Sequence, residues 1–178
     1  MRPIPKKLRP LWIRLGIPVD YPAARGLPVQ REARTLAVIG RTADRRQIRL
    51  SPPAAAAWRR LQSAATRDGI ALQPLSGFRS VARQTANIRR QLAAGKPIGV
   101  ILRFVAAPGC SEHHTGRALD LGTPADPELE ERFARTAAFR WLKRNAARFG
   151  FHLSYPRVNP HGIGYEPWHW CWRSRRHA

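Results

Sequence analysis

The chain is poor in acidic residues, in sulfur and in uninterrupted apolar sequence, and each shortage excludes something. Eleven Asp and Glu stand against 32 Lys and Arg, giving a formal net charge of +21 over 178 residues. An imbalance of that size draws a protein toward polyanions such as nucleic acid, anionic lipid or teichoic acid, without naming one. The arginines are spread along the whole length rather than gathered on one helix with interleaved aromatics, so no specific nucleic-acid site is expected. Two cysteines, Cys110 and Cys171, are too few for a disulfide framework. No run of about 18 uncharged apolar residues occurs, which excludes a membrane-spanning helix. The basic start, Met1 to Lys7, resembles a secretory n-region, but Arg14 interrupts Leu11-Trp12-Ile13 before an apolar h-region forms. By sequence the expectation is therefore a chain without a signal peptide, cytoplasmic unless another route carries it out.

What is present argues for a folded domain. Apolar residues make up 43%, with six Trp and six Phe, and the length suffices to bury roughly two thirds of the unfolded surface. Sixteen prolines predict many irregular connections, so a loop-rich α+β fold is expected. Residues 1–33 are basic and proline-rich with little periodicity, and read as an extended arm laid over the domain or left mobile. Residues 34–172 read as the domain proper, and 173–178 as a frayed basic tail. Thr35 to Ile39 and Gln47 to Leu50 predict a β-hairpin. Ser51 and Pro52 open a helix that carries Trp58, Leu61 and Ala65 and stops at Gly69. A strand around Ile70 to Leu75 leads through Ser76-Gly77-Phe78-Arg79-Ser80 into a helix with Val81, Thr85, Ile88 and Leu92 on one face. Asp126-Pro127 is read as the cap of a helical region running to Gly150, and the last strands as Phe151 to Tyr155 and Tyr165 to Trp172.

Chemistry concentrates in Ser111-Glu112-His113-His114-Thr115-Gly116-Arg117-Ala118-Leu119-Asp120 and in Glu166-Pro167-Trp168-His169. His113, Asp120 and His169 are three ligands of the types Zn²⁺ accepts, which leaves a fourth position for water, as a catalytic site requires. Glu166, three residues before His169, is placed to take the proton of a water that the ion has acidified. His113 and Asp120 are too far apart for one helix face and of opposite parity for one straight strand, so a turn is needed, and Gly116 supplies the positive φ. His114 is a rival ligand, pointing away from His113 if the segment is extended. Cys110 and Cys171 each lie within three residues of a proposed ligand, so either a disulfide or two buried thiols is consistent with the sequence. Arg79, at a strand-to-helix junction, can be aimed into a cleft.

Together these residues resemble the zinc D,D-peptidases of the VanY type, D-alanyl-D-alanine carboxypeptidases that trim peptidoglycan stem peptides and are related in fold to lysostaphin and the Hedgehog signalling domain. The resemblance rests on Ser76 to Ser80 with Gln84, on Ser111 to Asp120, on Leu153-Ser154-Tyr155-Pro156 and on Tyr165 to His169, and spans about residues 34 to 172. It implies a small antiparallel sheet carrying one zinc ion and flanked by helices. His113, Asp120 and His169 would be the ligands, Glu166 the base that activates water and then protonates the leaving amine, and Arg79 the group steadying the oxyanion. Ser111 and Gln84 are implied as substrate contacts, with Tyr155 bordering the cleft. The substrate would be the stem peptide, the place of action the periplasm or envelope, and the +21 charge would hold the protein near anionic envelope polymers. Cys110, where an aromatic is common, and the segment before residue 34 depart from the pattern. Two alternatives remain: an L-alanyl-D-glutamate endopeptidase of the phage-lysin sort, and a non-catalytic zinc domain that only binds.

Overall fold

The computed structural model describes residues 4–174. In chain order it contains α1 (Leu8–Arg14), α2 (Tyr21–Ala24), β1 (Ala37–Arg41), β2 (Gln47–Leu50), α3 (Pro52–Arg67), β3 (Gln73–Ser76), α4 (Val81–Ala93), α5 (Ile98–Ile101), β4 (Ala118–Gly122), α6 (Ala137–Asn145), β5 (Phe151–Leu153) and β6 (His169–Trp172). Short 3-10 helices cover Glu112–Thr115, Glu131–Arg135 and Ala146–Phe149. β1 and β2 form a hairpin, and the other four strands form an antiparallel sheet in the order β3-β4-β6-β5. The fold is thus α+β, with a small antiparallel sheet and flanking helices.

Alternation along β4 and β6 separates packing from chemistry. Leu119 sits opposite Trp170, and both are buried in a core with Leu50, Trp58, Leu61, Phe133, Leu142 and Phe151. Burying one Trp side chain of about 150–250 Å² contributes about 4–6 kcal/mol at ~25 cal/mol per Å², so Trp58 and Trp170 anchor α3 and α6 to this face. One residue along, Asp120 pairs directly with His169 on the other face. Residues opposed in this way hold their side chains about 5 Å apart at Cβ, so the strand register alone brings those two groups together.

Up to residue 26 the segment folds into two short helices and turns rather than an extended arm, while residues 27–33 have neither helix nor strand and donate from Gln30 N to Gly109 O and from Ala33 N to His114 O. Leu8, Trp12, Leu15, Ile17, Tyr21 and Leu27 build a second core with Ile88, Ile101, Leu102, Cys110, Tyr155 and Ile163. Trp12 has no exposed surface, and its indole N–H donates to Pro108 O at 2.9 Å. Two of the prolines that suggested an arm fall where a helix tolerates them: Pro10 lies in the first turn of α1 and Pro22 in that of α2, where no intrahelical N–H partner is lost.

Two further boundaries differ from the sequence reading. The stretch after Asp126 does not begin an α-helix, and there Arg132 gathers Asp126, Glu128 and Glu130 into a surface cluster. α6 starts instead at the cap Thr136, whose Oγ1 accepts from Phe139 N at 3.1 Å. β5 and β6 are shorter than expected, and the loop between them carries Tyr155 and Glu166. Both cysteines are buried free thiols, Cys110 in the second core and Cys171 on β6, and no disulfide joins them. His177 and most of the basic tail lie outside the described residues.

Candidate active site

Each functional side chain is positioned by backbone that the local sequence dictates. Ser111 caps the 3-10 turn that carries His113, with its Oγ accepting from His113 N at 3.3 Å. Gly116 ends the turn at φ +64°, and a Cβ there would lie 2.9 Å from Ser51 N, so conformation and space both require glycine. Gly77 is required for a different reason: its Cβ would lie 2.5 Å from Arg49 O. That close approach lets Gly77 O meet His113 Nδ1 at 2.7 Å, which leaves Nε2 turned toward Asp120.

Three donors then converge. His113 Nε2 is 3.2 Å from Asp120 Oδ2, and His169 Nδ1 is 3.0 Å from Asp120 Oδ1. One donor atom from each of His113, Asp120 and His169 lies within 4.8 Å of the others. Tetrahedral ligands about 2.0–2.1 Å from a zinc ion stand roughly 3.3–3.5 Å from one another, so this set fits a single ion with small side-chain adjustments. All three residues are buried. Burial alone pushes the His169 imidazole down, but its hydrogen bonds to Asp120 and Glu112 prevail and lift it to about 10. A cation on Nδ1 would take the place of that proton.

Glu166 and Arg79 flank the cluster. Glu166 Oε2 lies 3.8 Å from His169 Nδ1, and burial, reinforced by repulsion from Asp120 and Glu112, raises its carboxyl to about 7 against the pull of His169 and Arg79. Arg79 Nη2 is 3.8 Å from Asp120 Oδ2, and its Nη1 donates to Gln84 Oε1 at 3.0 Å. Gln84 in turn donates from Nε2 to Ala106 O at 2.6 Å, so both ends of its amide are engaged. Its position is that of a brace for the guanidinium as well as part of the cleft wall.

The cleft has a volume of about 640 Å³ and is lined by Arg79, Gln84, Ser111, Tyr155, Glu166 and all three donors, with Phe78, Phe104 and Trp168 among the apolar walls. The Tyr155 ring lies 4.9 Å from that of His169. Every site residue expected from the sequence is therefore in or on one cavity. His114 is excluded as a ligand: Gly109 N donates to its Nε2 at 3.0 Å, its Nδ1 is 2.5 Å from Arg79 O, and it ties the 106–110 loop to the Arg79 backbone. Glu112 was missed. It bonds to His169 from behind, and its sequence signal, an acid beside a histidine, does not distinguish a buried partner from a solvated charge.

Two imidazoles and a carboxylate in a buried cluster, beside a glutamate that titrates near neutrality, form the arrangement that mononuclear metallohydrolases use. The family model described as VanY: D-alanyl-D-alanine carboxypeptidase matches residues 47–175, and the chain belongs to that family. It is 38% identical over 120 residues to YodJ of Bacillus subtilis (strain 168), covering 65% of this chain and 43% of that protein. The chain spans less than half the length of the curated relatives it matches. Among solved structures, it resembles the LdcB LD-carboxypeptidase with a TM-score of 0.75 and 30% identity, over 84% of this chain and 73% of that one. It also resembles a mutant of the vancomycin resistance D,D-pentapeptidase VanY in complex with Zn(II), with a TM-score of 0.64 and 25% identity, over 84% of each chain.

Proposed function

We propose that this protein is a zinc-dependent D-alanyl-D-alanine carboxypeptidase that hydrolyses the terminal D-Ala–D-Ala bond of peptidoglycan stem peptides. The observation that carries the reading is the convergence of His113, Asp120 and His169 beside Glu166 in one cleft. Zinc held by those three residues supplies a Lewis acid that polarises a carbonyl and acidifies water. Glu166, with a carboxyl near 7, is matched to take the proton of the attacking water and return it to the departing amine. Arg79, braced by Gln84, directs its N–H groups toward the position where negative charge develops; one such preorganised donor is worth about 3–4 kcal/mol. Ser111 and Tyr155 shape the wall against which the peptide lies. The +21 charge favours action at the anionic envelope.

A second reading is favoured by the likeness to the LdcB LD-carboxypeptidase: removal of a D-alanine that follows an L-centre, by the same residues. Synthetic stem pentapeptide and tetrapeptide separate the two. Release of D-alanine from the pentapeptide only supports the D,D assignment, and release from the tetrapeptide moves the protein to the L,D class. Chelation by EDTA is expected to abolish activity and added zinc to restore it, whereas activity indifferent to EDTA overturns the metal assignment.

A further inference from the structure

Glu112 has no part in the reaction outlined above and does not line the cavity. It meets the outer edge of the His169 ring, with Oε2 2.9 Å from Nε2, while Nδ1 on the inner edge faces Asp120 at 3.0 Å. A neutral imidazole has one proton for two nitrogens, and only the bare nitrogen can bind a cation. Both carboxylates can only accept, so the metal-free ring can carry a proton on each nitrogen; an ion among the three donors takes the place of the proton on Nδ1, and Glu112 keeps the other on Nε2. Ser154 Oγ donates to the same Oε2 at 2.6 Å, and the Thr115 hydroxyl donates to Glu112 O at 2.6 Å, so the carboxylate and its backbone are themselves fixed.

Ring packing alone does not do this job. His169 is bounded by Tyr155 and His113, each with ring centroids at 4.9 Å. Those contacts limit tilt, but they permit a half-turn about Cβ–Cγ that would exchange each nitrogen for a carbon. Hydrogen bonds at opposite edges of the ring forbid it. Glu112 is not a fourth ligand, because the imidazole stands between it and the cluster, and it is not the base, because Glu166 rather than Glu112 faces the cleft.

We propose that Glu112, supported by Ser154, is a positioning residue that fixes the tautomer and orientation of His169 for metal binding. The inference rests on the reading of His113, Asp120 and His169 as ligands and is independent of which peptide is cleaved. Loss of such a carboxylate behind a metal-binding histidine weakens metal affinity about 10- to 100-fold. The test measures zinc dissociation constants by competition with a chromogenic chelator for wild type, E112A, E112Q and S154A. Circular dichroism checks the fold, and long-range ¹H–¹⁵N NMR of the zinc-loaded protein reads the His169 tautomer. The expected order of loss is E112A, then E112Q, which keeps a neutral acceptor, then S154A, with KM at saturating zinc unchanged. Zinc affinities for E112A and E112Q within about twofold of wild type overturn the proposal. If E112A does not fold, unchanged affinity in both E112Q and S154A overturns it equally. The predicted ranking in a protein that cleaves no peptide supports Glu112 and refutes only the peptidase; a wild type that binds no zinc refutes both.

Discussion

Trp12→Ala is expected to destabilise the protein severely, although Trp12 lies far outside the motifs of the site. The side chain has no exposed surface and packs edge-on against Tyr21, with ring centroids 6.5 Å apart. Truncating a buried Trp to Ala costs about 3–5 kcal/mol through lost transfer energy and the cavity left behind. The lost hydrogen bond leaves Pro108 O without its buried donor, which adds about 1 kcal/mol. A total near 5 kcal/mol is a large share of the ~5–15 kcal/mol that a domain of this kind has. The effect should reach the site, because Pro108 lies in the loop that holds Gln84 through Ala106 and His114 through Gly109. Urea unfolding followed by far-UV circular dichroism measures the loss, with Trp12→Phe as a control that keeps most of the volume and costs about 1–2 kcal/mol. A Trp12→Ala midpoint corresponding to less than about 1 kcal/mol would refute the assignment of residues 8–27 to the core.

Glu166→Ala should lower turnover by about 10²–10⁴-fold, the usual contribution of a general base, while zinc still binds as measured by metal analysis. Gly116→Ala should cost about 2 kcal/mol, from the strained φ of +64° and the 2.9 Å approach to Ser51 N, and lower the melting temperature by about 4–8 °C in calorimetry. Zinc affinity should rise with pH: the metal-free His169 holds its proton up to about 10, so each ion bound at Nδ1 displaces one proton, and affinity grows roughly tenfold per pH unit between about 5 and 8 in chelator competition. A flat profile would mean that His169 is not a ligand. Binding to purified envelope should weaken between about 50 and 500 mM salt as the screening length shortens to a few Å, and sedimentation that ignores salt would remove the electrostatic account.

The sequence was most informative where a side-chain type and a backbone need coincide. His113, Asp120, Glu166 and His169 could be grouped because each is a metal or proton ligand by chemistry, and Gly116 between the first two supplied the turn that their spacing demanded. The β1–β2 hairpin, α3 and α4 were legible from alternation, capping residues and glycine stops. What escaped depended on contacts distant in sequence. Trp12 is buried by the loop around Pro108, 96 residues away, and no local pattern announces that partner. Glu112 bonds to a ring 57 residues later, and Arg132 draws three carboxylates into a loop that a Pro cap had marked as helix. His114 sits beside a proposed ligand with the same side chain, and only its two backbone partners show that it is structural.

Mass spectrometry of purified peptidoglycan stem peptides, after incubation with the zinc-loaded wild type and, in parallel, with Glu166→Ala, decides whether the protein is a D,D-carboxypeptidase. Loss of one terminal D-alanine from pentapeptides with the wild type only is the predicted result. Cleavage after L-alanine, or peptides unchanged by a zinc-loaded wild type, would contradict it.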